Sequence, residues 1–255
     1  MEKIIVITGR GGTGKSTFVT LFARYINAQP LLLIDLDPDG SLAVMLGVDL
    51  GKEDKLTVSE ALYDVISKGK DAKGTEDMPN LLRRMIEEGE IVWRDKKFDL
   101  ISLGTKLAPG CYCLADNLIK DAIPKMVKAY KMVIVDSPAG LEHLNRKVTP
   151  DIDDLFVILD PSEKSTKHIE RIKYVARGVK ITYKNFYLVG NHRFTDDREA
   201  YLLKSGETYL GRIAYDPYVR EYNLKGEPLF KIPEDSPASL SIKKILLGGG
   251  YGVVS

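Results

Sequence analysis

The feature that most narrows the fold is a run of glycines wedged between an apolar strand-like segment and a helix-like one. Ile4 to Thr8 is an unbroken apolar or β-branched run, and it leads straight into Gly9-Arg10-Gly11-Gly12-Thr13-Gly14-Lys15-Ser16. From Lys15 to Asn27 apolar residues recur at helical spacing. Glycine, four residues, then Gly-Lys-Ser is the pattern of a loop that cradles phosphates. Average composition gives a chance match in roughly 1 in 100 chains of this length, before a strand in front and a helix behind are required. Every residue type in the pattern has a physical role. Glycines let backbone N–H groups wrap the phosphates, and the helix start adds its positive dipole end. Lys15 is placed to reach the β and γ oxygens and Ser16 to bind Mg²⁺. Gly11, Gly12, Thr13, Gly14, Lys15, Ser16 and Thr17 are therefore the expected phosphate contacts of a nucleoside triphosphate.

A loop of this kind belongs to a parallel sheet, and the rest of the chain agrees. Short runs at Leu31 to Ile34, Phe98 to Leu103, Met132 to Val135, Leu155 to Leu159 and Phe186 to Val189 read as strands buried on both faces. Segments of helical period lie between them, such as Val58 to Ser67, Leu114 to Tyr130 and Glu163 to Arg177. The expectation is an α/β, doubly wound, mainly parallel sheet with helices on both faces. At 255 residues and 44% hydrophobic content the chain reads as one domain, residues 1–255. The charged stretch at about 47–97 breaks the alternation and reads as a helical insertion carrying two helices.

Thirty-seven basic against 36 acidic residues give no general pull toward polyanions, so nucleic acid is not an expected partner. No stretch approaches the roughly 20 apolar residues of a membrane span, and Met1 runs almost at once into the first strand, so the expected location is cytoplasmic. Ser239 to Leu247 can form a short amphipathic helix, read as docked on the body and not as a stable membrane anchor.

Two carboxylate clusters fall where a doubly wound sheet places its ligands, at the C-terminal ends of strands. One is Asp35-Leu36-Asp37-Pro38-Asp39. The other is Asp136, which ends Met132 to Val135 and leads into Ser137-Pro138-Ala139-Gly140. Beside a γ-phosphate such groups position water or metal, so Asp37 and Asp136 join Ser16 as expected Mg²⁺ ligands. Asn-Lys-x-Asp, the guanine reader of many GTPases, is missing near any later strand end, and Asn191, just after Phe186 to Val189, is the candidate adenine contact. The expected cofactors are thus ATP/ADP and Mg²⁺.

Three features together resemble the MinD/NifH/ParA class of deviant P-loop ATPases. They are the basic residue before Gly-Gly in the loop, Asp-Leu-Asp-Pro after the second strand, and Asp136-Ser-Pro-Ala-Gly-Leu-Glu142. The resemblance spans nearly the whole chain and implies hydrolysis of ATP to ADP and phosphate by an ATP-dependent homodimer. A signature lysine of the class reaches across to the partner's phosphates, and Arg10 stands at its position here. An arginine keeps the charge and presents a planar fork of donors, as an arginine finger does. The same resemblance makes Lys15, Asp37 and Arg10 the catalytic set, with Asp37 positioning the attacking water. It also places Asn191 and the stretch at Asp216-Pro217 along the adenine.

Pro109-Gly110-Cys111-Tyr112-Cys113 sets the chain's two cysteines two positions apart, a spacing that random placement gives in roughly 1% of such chains. Two buried small hydrophobes or a redox pair are alternatives. Two thiolates are too few for a closed metal site, but a two-fold dimer doubles them to four, enough for Zn²⁺ or Ni²⁺ on the axis. This combination resembles the CooC-type maturation ATPases, which implies a nucleotide- and metal-dependent homodimer that delivers nickel to a client such as carbon monoxide dehydrogenase. Two other functions stay open: a MinD/ParA-type switch on membrane or DNA, and an iron-sulfur ATPase that reactivates a partner protein.

Overall fold

The computed structural model describes residues 3–68, 78–105, 127–139, 151–191 and 193–254. Its centre is an eight-stranded sheet. The strands are β1 (Lys3–Gly9), β2 (Leu31–Asp35), β3 (Trp93–Arg94), β4 (Asp99–Ser102), β5 (Met132–Asp136), β6 (Asp151–Leu159), β7 (Thr182–Gly190) and β8 (Thr208–Arg212). They lie in the order β3-β4-β2-β5-β1-β6-β7-β8. Every pair is parallel except β3 with β4. The doubly wound sheet expected from the sequence is therefore observed, with one antiparallel edge strand. Parallel neighbours need long crossovers, and helices supply them.

The helices are α1 (Lys15–Tyr25), α2 (Ser41–Leu46), α3 (Val58–Lys68), α4 (Met78–Glu87), α5 (Glu163–Gly178), α6 (Asp196–Leu203), α7 (Pro217–Lys225) and α8 (Pro237–Gly248). Because successive strand residues face opposite sides, β1 feeds two cores. Val6 joins the core that holds Ile169 and Ile172 of α5 with Val58 and Ala61 of α3. Ile5 and Ile7 join the other, with Phe18, Leu21 and Phe22 of α1 and Ile242, Ile245 and Leu246 of α8. Both faces of the sheet are covered, which is why the strands read as continuous apolar runs.

The aromatic centre of the second core fixes α1 and hence the loop in front of it. Phe22 meets Phe156 of β6 at 5.8 Å and Tyr251 at 5.1 Å, both edge to face. Tyr251 also donates to the buried carboxylate of Asp154, which pairs with Lys3 and accepts from Asn185. The segment after α8 is held further by Asn27 N–H to Gly252 O and Val254 N–H to Tyr25 O. The amphipathic face read from Ser239 to Leu247 is turned inward: Ile242, Ile245 and Leu246 are 0%, 1% and 0% exposed. Among the described residues no helix is long and apolar enough to cross a membrane.

Strand limits differ from the apolar runs where polar pairs extend the ladder. β6 and β7 start at Asp151 and Thr182, four residues ahead of the expected Leu155 and Phe186. Their registered pairs are Asp151 with Thr182 and Asp154 with Asn185, each hydrogen-bonded side chain to side chain, while Lys184 pairs with Asp153. Such cross-strand polar pairs stabilise a sheet as well as apolar ones do. Of the helix expected over Leu114 to Tyr130, the described part is a 3₁₀ turn at Val127–Ala129, and the rest lies outside the described residues.

One buried acid ties two helices together. Asp216 is 4% exposed; its Oδ1 accepts the Tyr218 N–H at the start of α7 and its Oδ2 accepts the Ala238 N–H at the start of α8. Asp216→Ala loses both bonds and is expected to cost about 2–3 kcal/mol, against about 1 kcal/mol for a single helix cap. Asp216→Asn keeps one acceptor and should recover about half. Urea midpoints at unchanged slope check this ordering.

Candidate active site

The loop after β1 folds around one carbonyl. Arg10 O accepts Thr13 Oγ1 at 2.9 Å, Thr13 N–H at 3.3 Å and Lys15 Nζ at 3.3 Å. Two glycines make this path possible. A Cβ on Gly9 would stand 2.5 Å from the Ile158 carbonyl oxygen of β6, and Gly14 takes a left-handed φ of 89° where α1 begins. The start of α1 has neither a capping side chain nor an acidic residue in its first turn. Its free N–H groups and dipole end are thus left for an external anion, and the loop curls in front of them.

Lys15 is 6% exposed. Burial lowers its ammonium from the ordinary value, while Asp136 and then Asp37 pull it back up. These acids come from neighbouring strand ends. β2 and β5 run in register with Asp35 beside Asp136, and both are 0% exposed. Asp35 Oδ1 accepts the Asp37 N–H at 3.0 Å, whereas Asp35 Oδ2 and both Asp136 oxygens have no hydrogen-bond partner. Burial, and then the neighbouring Asp136, push the Asp35 carboxyl well above the usual range. Burial likewise raises Asp136 to about 7, with Asp37 adding to the rise and the Ser16 hydroxyl and Lys15 opposing it. Ser16 acts on Asp136 through proximity, since its hydroxyl forms no well-directed bond to either oxygen.

Two adjacent buried carboxylates with three orphaned oxygens are costly unless a cation meets them. A hard divalent ion fits this donor set. Among the described residues no group of three or more His, Cys, Asp or Glu could hold a metal by itself. A Mg²⁺ site here would need phosphate oxygens and water to complete it, as Mg²⁺ sites with nucleotides do. Ser16, which accepts from Ser41 Oγ at 3.3 Å, stands at the same place. Asp37 lies in the turn beyond, half-buried, with its Oδ1 accepting the Asp39 N–H at 3.2 Å; Asp39 is exposed.

Asn191 is brought to the loop from the end of β7, two strands away from β1. Its N–H bonds Leu159 O at 2.8 Å and its Nδ2 donates to Thr13 O at 2.9 Å. With the amide nitrogen so engaged, Oδ1 remains as an acceptor. Asn191, Gly14 and Thr17 line a cavity of about 390 Å³ whose apolar walls include Ile213 and Val219. Pro217 is the first residue of α7 and the cavity wall there is formed by its neighbour Asp216.

Arg10 is held by its own chain. Its Nη1 donates to Ser162 Oγ at 3.2 Å and lies 3.5 Å from Asp160 Oδ2, in the turn from β6 into α5. Burial pushes the Asp160 carboxyl up, but hydrogen bonds from Ser162 and the charge of Arg10 outweigh it and hold it below the usual value. An ion pair this exposed is worth about 0–1 kcal/mol, so the guanidinium leaves it at small cost. Cys111 and Cys113 lie outside the described residues, as do Gly140 to Glu142. Sequence reasoning missed Ser41, Asp160 and Ser162, although Asp160 directly follows β6 and so lay next to the kind of strand-end signal that exposed Asp35 and Asp136.

Comparison with known proteins gives a consistent picture. A family model described as an AAA domain matches residues 1–186. The chain is 30% identical to an uncharacterized ATP-binding protein of Methanocaldococcus jannaschii over 247 residues, 95% of this chain and 96% of that one. It is 24% identical to the carbon monoxide dehydrogenase accessory protein CooC of Rhodospirillum rubrum over 231 residues, 87% of each chain. Among solved structures it resembles the septum site-determining protein MinD of Pyrococcus horikoshii complexed with Mg-ADP. That similarity has a TM-score of 0.63 at 22% identity and covers 96% of this chain and 94% of the other.

Proposed function

The chain belongs to the AAA domain family and is a P-loop ATPase of the MinD/ParA type, and from that premise we propose that it is a homodimeric metallochaperone. In this reading it hydrolyses ATP and carries nickel, or zinc, on Cys111 and Cys113 to a client metalloenzyme such as carbon monoxide dehydrogenase. The observation that carries the ATPase half is the pair of buried, orphaned carboxylates beside Lys15 at the mouth of the glycine loop. The metal half is supported by the Cys-x-Cys spacing and by the similarity to CooC.

Each residue has a role in that reading. The loop N–H groups and the start of α1 hold the phosphates, and Lys15 neutralises the β and γ oxygens. Ser16, Asp37 and Asp136 would hold Mg²⁺, which when bound offsets phosphate charge. Asp37 orients the attacking water. Arg10, released from Asp160 and Ser162, reaches the partner's nucleotide and stabilises charge developing there. Asn191 Oδ1, an acceptor, favours the amino group of adenine over the carbonyl of guanine.

The chain folds as one domain in this proposal, with the stretch at about 47–97 as an insertion. The membrane-switch alternative is disfavoured by the inward-facing apolar side of α8.

Metal stoichiometry and oligomeric mass, with and without ATP, test the reading. Wild type should bind about one Ni²⁺ or Zn²⁺ per dimer, the number four thiolates can ligate. The Cys111→Ser, Cys113→Ser double variant should lose that ion and keep its ATPase activity. Metal binding unchanged in the double variant would sink the metal half and leave the ATPase half standing. A brown protein with visible absorbance after anaerobic purification would favour the iron-sulfur alternative instead.

A further inference from the structure

The turn after β2 is anchored from two directions. Its own strand supplies the first: Asp35 Oδ1 accepts the Asp37 N–H at 3.0 Å, and Asp37 O accepts the Gly40 N–H at 3.0 Å. Pro38 stands between them and has no N–H to add. Its carbonyl is the second anchor point, and the bond it receives comes from Thr105 Oγ1 at 3.1 Å, 67 residues further along the chain.

Thr105 reaches that carbonyl from a braced position. Ser102 of β4 lies in register with Asp35, and the Leu103 N–H bonds Asp35 O at 2.8 Å. The start of α3 holds the same stretch from its other side. Ser59 N–H bonds Leu103 O at 2.9 Å, and Ser59 Oγ donates to Gly104 O at 3.3 Å. Gly104 is pressed so closely on Thr57 that a Cβ there would stand 2.3 Å from Thr57 Oγ1. Thr57 is itself fixed, because it and Glu60 exchange bonds: Thr57 N–H to Glu60 Oε2 at 2.8 Å and Glu60 N–H to Thr57 Oγ1 at 3.2 Å. The residue after Gly104 is thus tied to strand and helix alike before it meets Pro38.

The bond from Thr105 to Pro38 is exposed, so water can replace the hydroxyl and the contact adds little to stability. What it fixes is a place. The residue before Pro38 is Asp37, whose carboxylate acts on both Lys15 and Asp136 across the site. Displacing a reacting group by about 1 Å can cost about 10²-fold in rate.

We infer that Thr105 is a positioning residue for ATP hydrolysis, its hydroxyl holding the Pro38 carbonyl so that the Asp37 carboxylate stands where the attacking water is oriented. The inference rests on the reading of Asp37 as the group that orients that water. Thr105 acts through Asp37, so its effect exists only while that carboxylate is present.

The experiment measures steady-state ATPase kinetics and urea unfolding for wild type, Thr105→Val, Thr105→Ser, Asp37→Ala and the Thr105→Val, Asp37→Ala double variant, with single-turnover hydrolysis for the slow ones. Thr105→Val keeps the branched shape and removes the donor. It should lower kcat by about 3–30-fold, part of the full cost of a misplaced group, with KM for ATP within about twofold and the urea midpoint unchanged. Thr105→Ser keeps the hydroxyl and should restore kcat to within about twofold of wild type. The double variant should be no slower than Asp37→Ala alone, since the two residues act as one unit. A Thr105→Val kcat within twofold of wild type, a loss that falls on KM, a Thr105→Ser as slow as Thr105→Val, or a double variant that multiplies the two losses overturns the inference. If Asp37→Ala is slow and Thr105→Val is not, only the role of Thr105 falls. If Asp37→Ala hydrolyses ATP as wild type does, the reading of Asp37 falls and the route through it falls as well.

Discussion

Lys15→Ala is expected to reduce ATP turnover by at least about 10²–10³-fold, the size of effect seen when one preorganised charge at a reacting oxygen is removed. The residue is tethered to the loop's own Arg10 carbonyl and almost fully buried, so its charge is aimed before any ligand arrives. Burial works against that charge, and the carboxylates of Asp136 and Asp37 are what sustain it. Taking the ammonium away therefore leaves Asp136 without its cation. Its carboxyl, already raised to about 7, then rises further and holds a proton under neutral conditions. The variant should fold, because a protonated carboxyl tolerates burial, yet it would offer a poor anion to Mg²⁺. Single-turnover hydrolysis with direct measurement of nucleotide affinity checks this. Turnover within tenfold of wild type would remove Lys15 from the reaction. Lys15→Arg should not rescue, since a planar fork cannot act as a compact point charge.

The glycine loop, the parallel sheet and the strand-end acids were legible because each depends on local pattern. Gly9 has to lack a Cβ for β1 to lie against Ile158, and the strand, loop and helix are contiguous in the chain. β3 and β8 were not legible. Trp93–Arg94 is only two residues long, and Thr208–Arg212 is a half-exposed edge strand containing Gly211, joined to β7 across a register shift. Neither carries an apolar run, and a residue pattern cannot show an edge whose partner lies elsewhere in the chain. α6 and α7 were missed for a related reason. α7 buries no residue, so it has no apolar stripe to betray it, and its start is set by Asp216 through a contact with α8 that is 22 residues away. Likewise the bond from Asn191 to Thr13 spans 178 residues, and the Arg10 pair with Ser162 spans 152. Sequence located the candidate groups; the topology determines which of them meet.

Asp37→Ala should leave ATP bound and hydrolysis down by about 10²–10⁴-fold, the range that positioned acid-base groups contribute. The turn that carries Asp37 is organised from beneath. Asp35 Oδ1 accepts the Asp37 N–H, and Asp37 O accepts the Gly40 N–H, so the backbone of the turn survives removal of the side chain. What is lost is a half-buried carboxylate next to Lys15, able to orient water and to meet Mg²⁺. In this reading Lys15 touches the phosphates and Asp37 acts on water and metal, so affinity for ATP should move by less than about tenfold while kcat collapses. A trapped, ATP-bound state is the expected consequence. If the nucleotide drives dimerisation through Arg10, that state should accumulate as dimer, measurable as mass in the presence of Mg-ATP. Asp37→Ala that hydrolyses normally would shift the water-orienting role to another carboxylate, with Asp39 the exposed neighbour on the same turn. Asp37→Ala that neither hydrolyses nor binds would mean its carboxylate serves the metal first. The ratio of the two losses therefore distinguishes a group that acts on water from one that only completes the Mg²⁺ site.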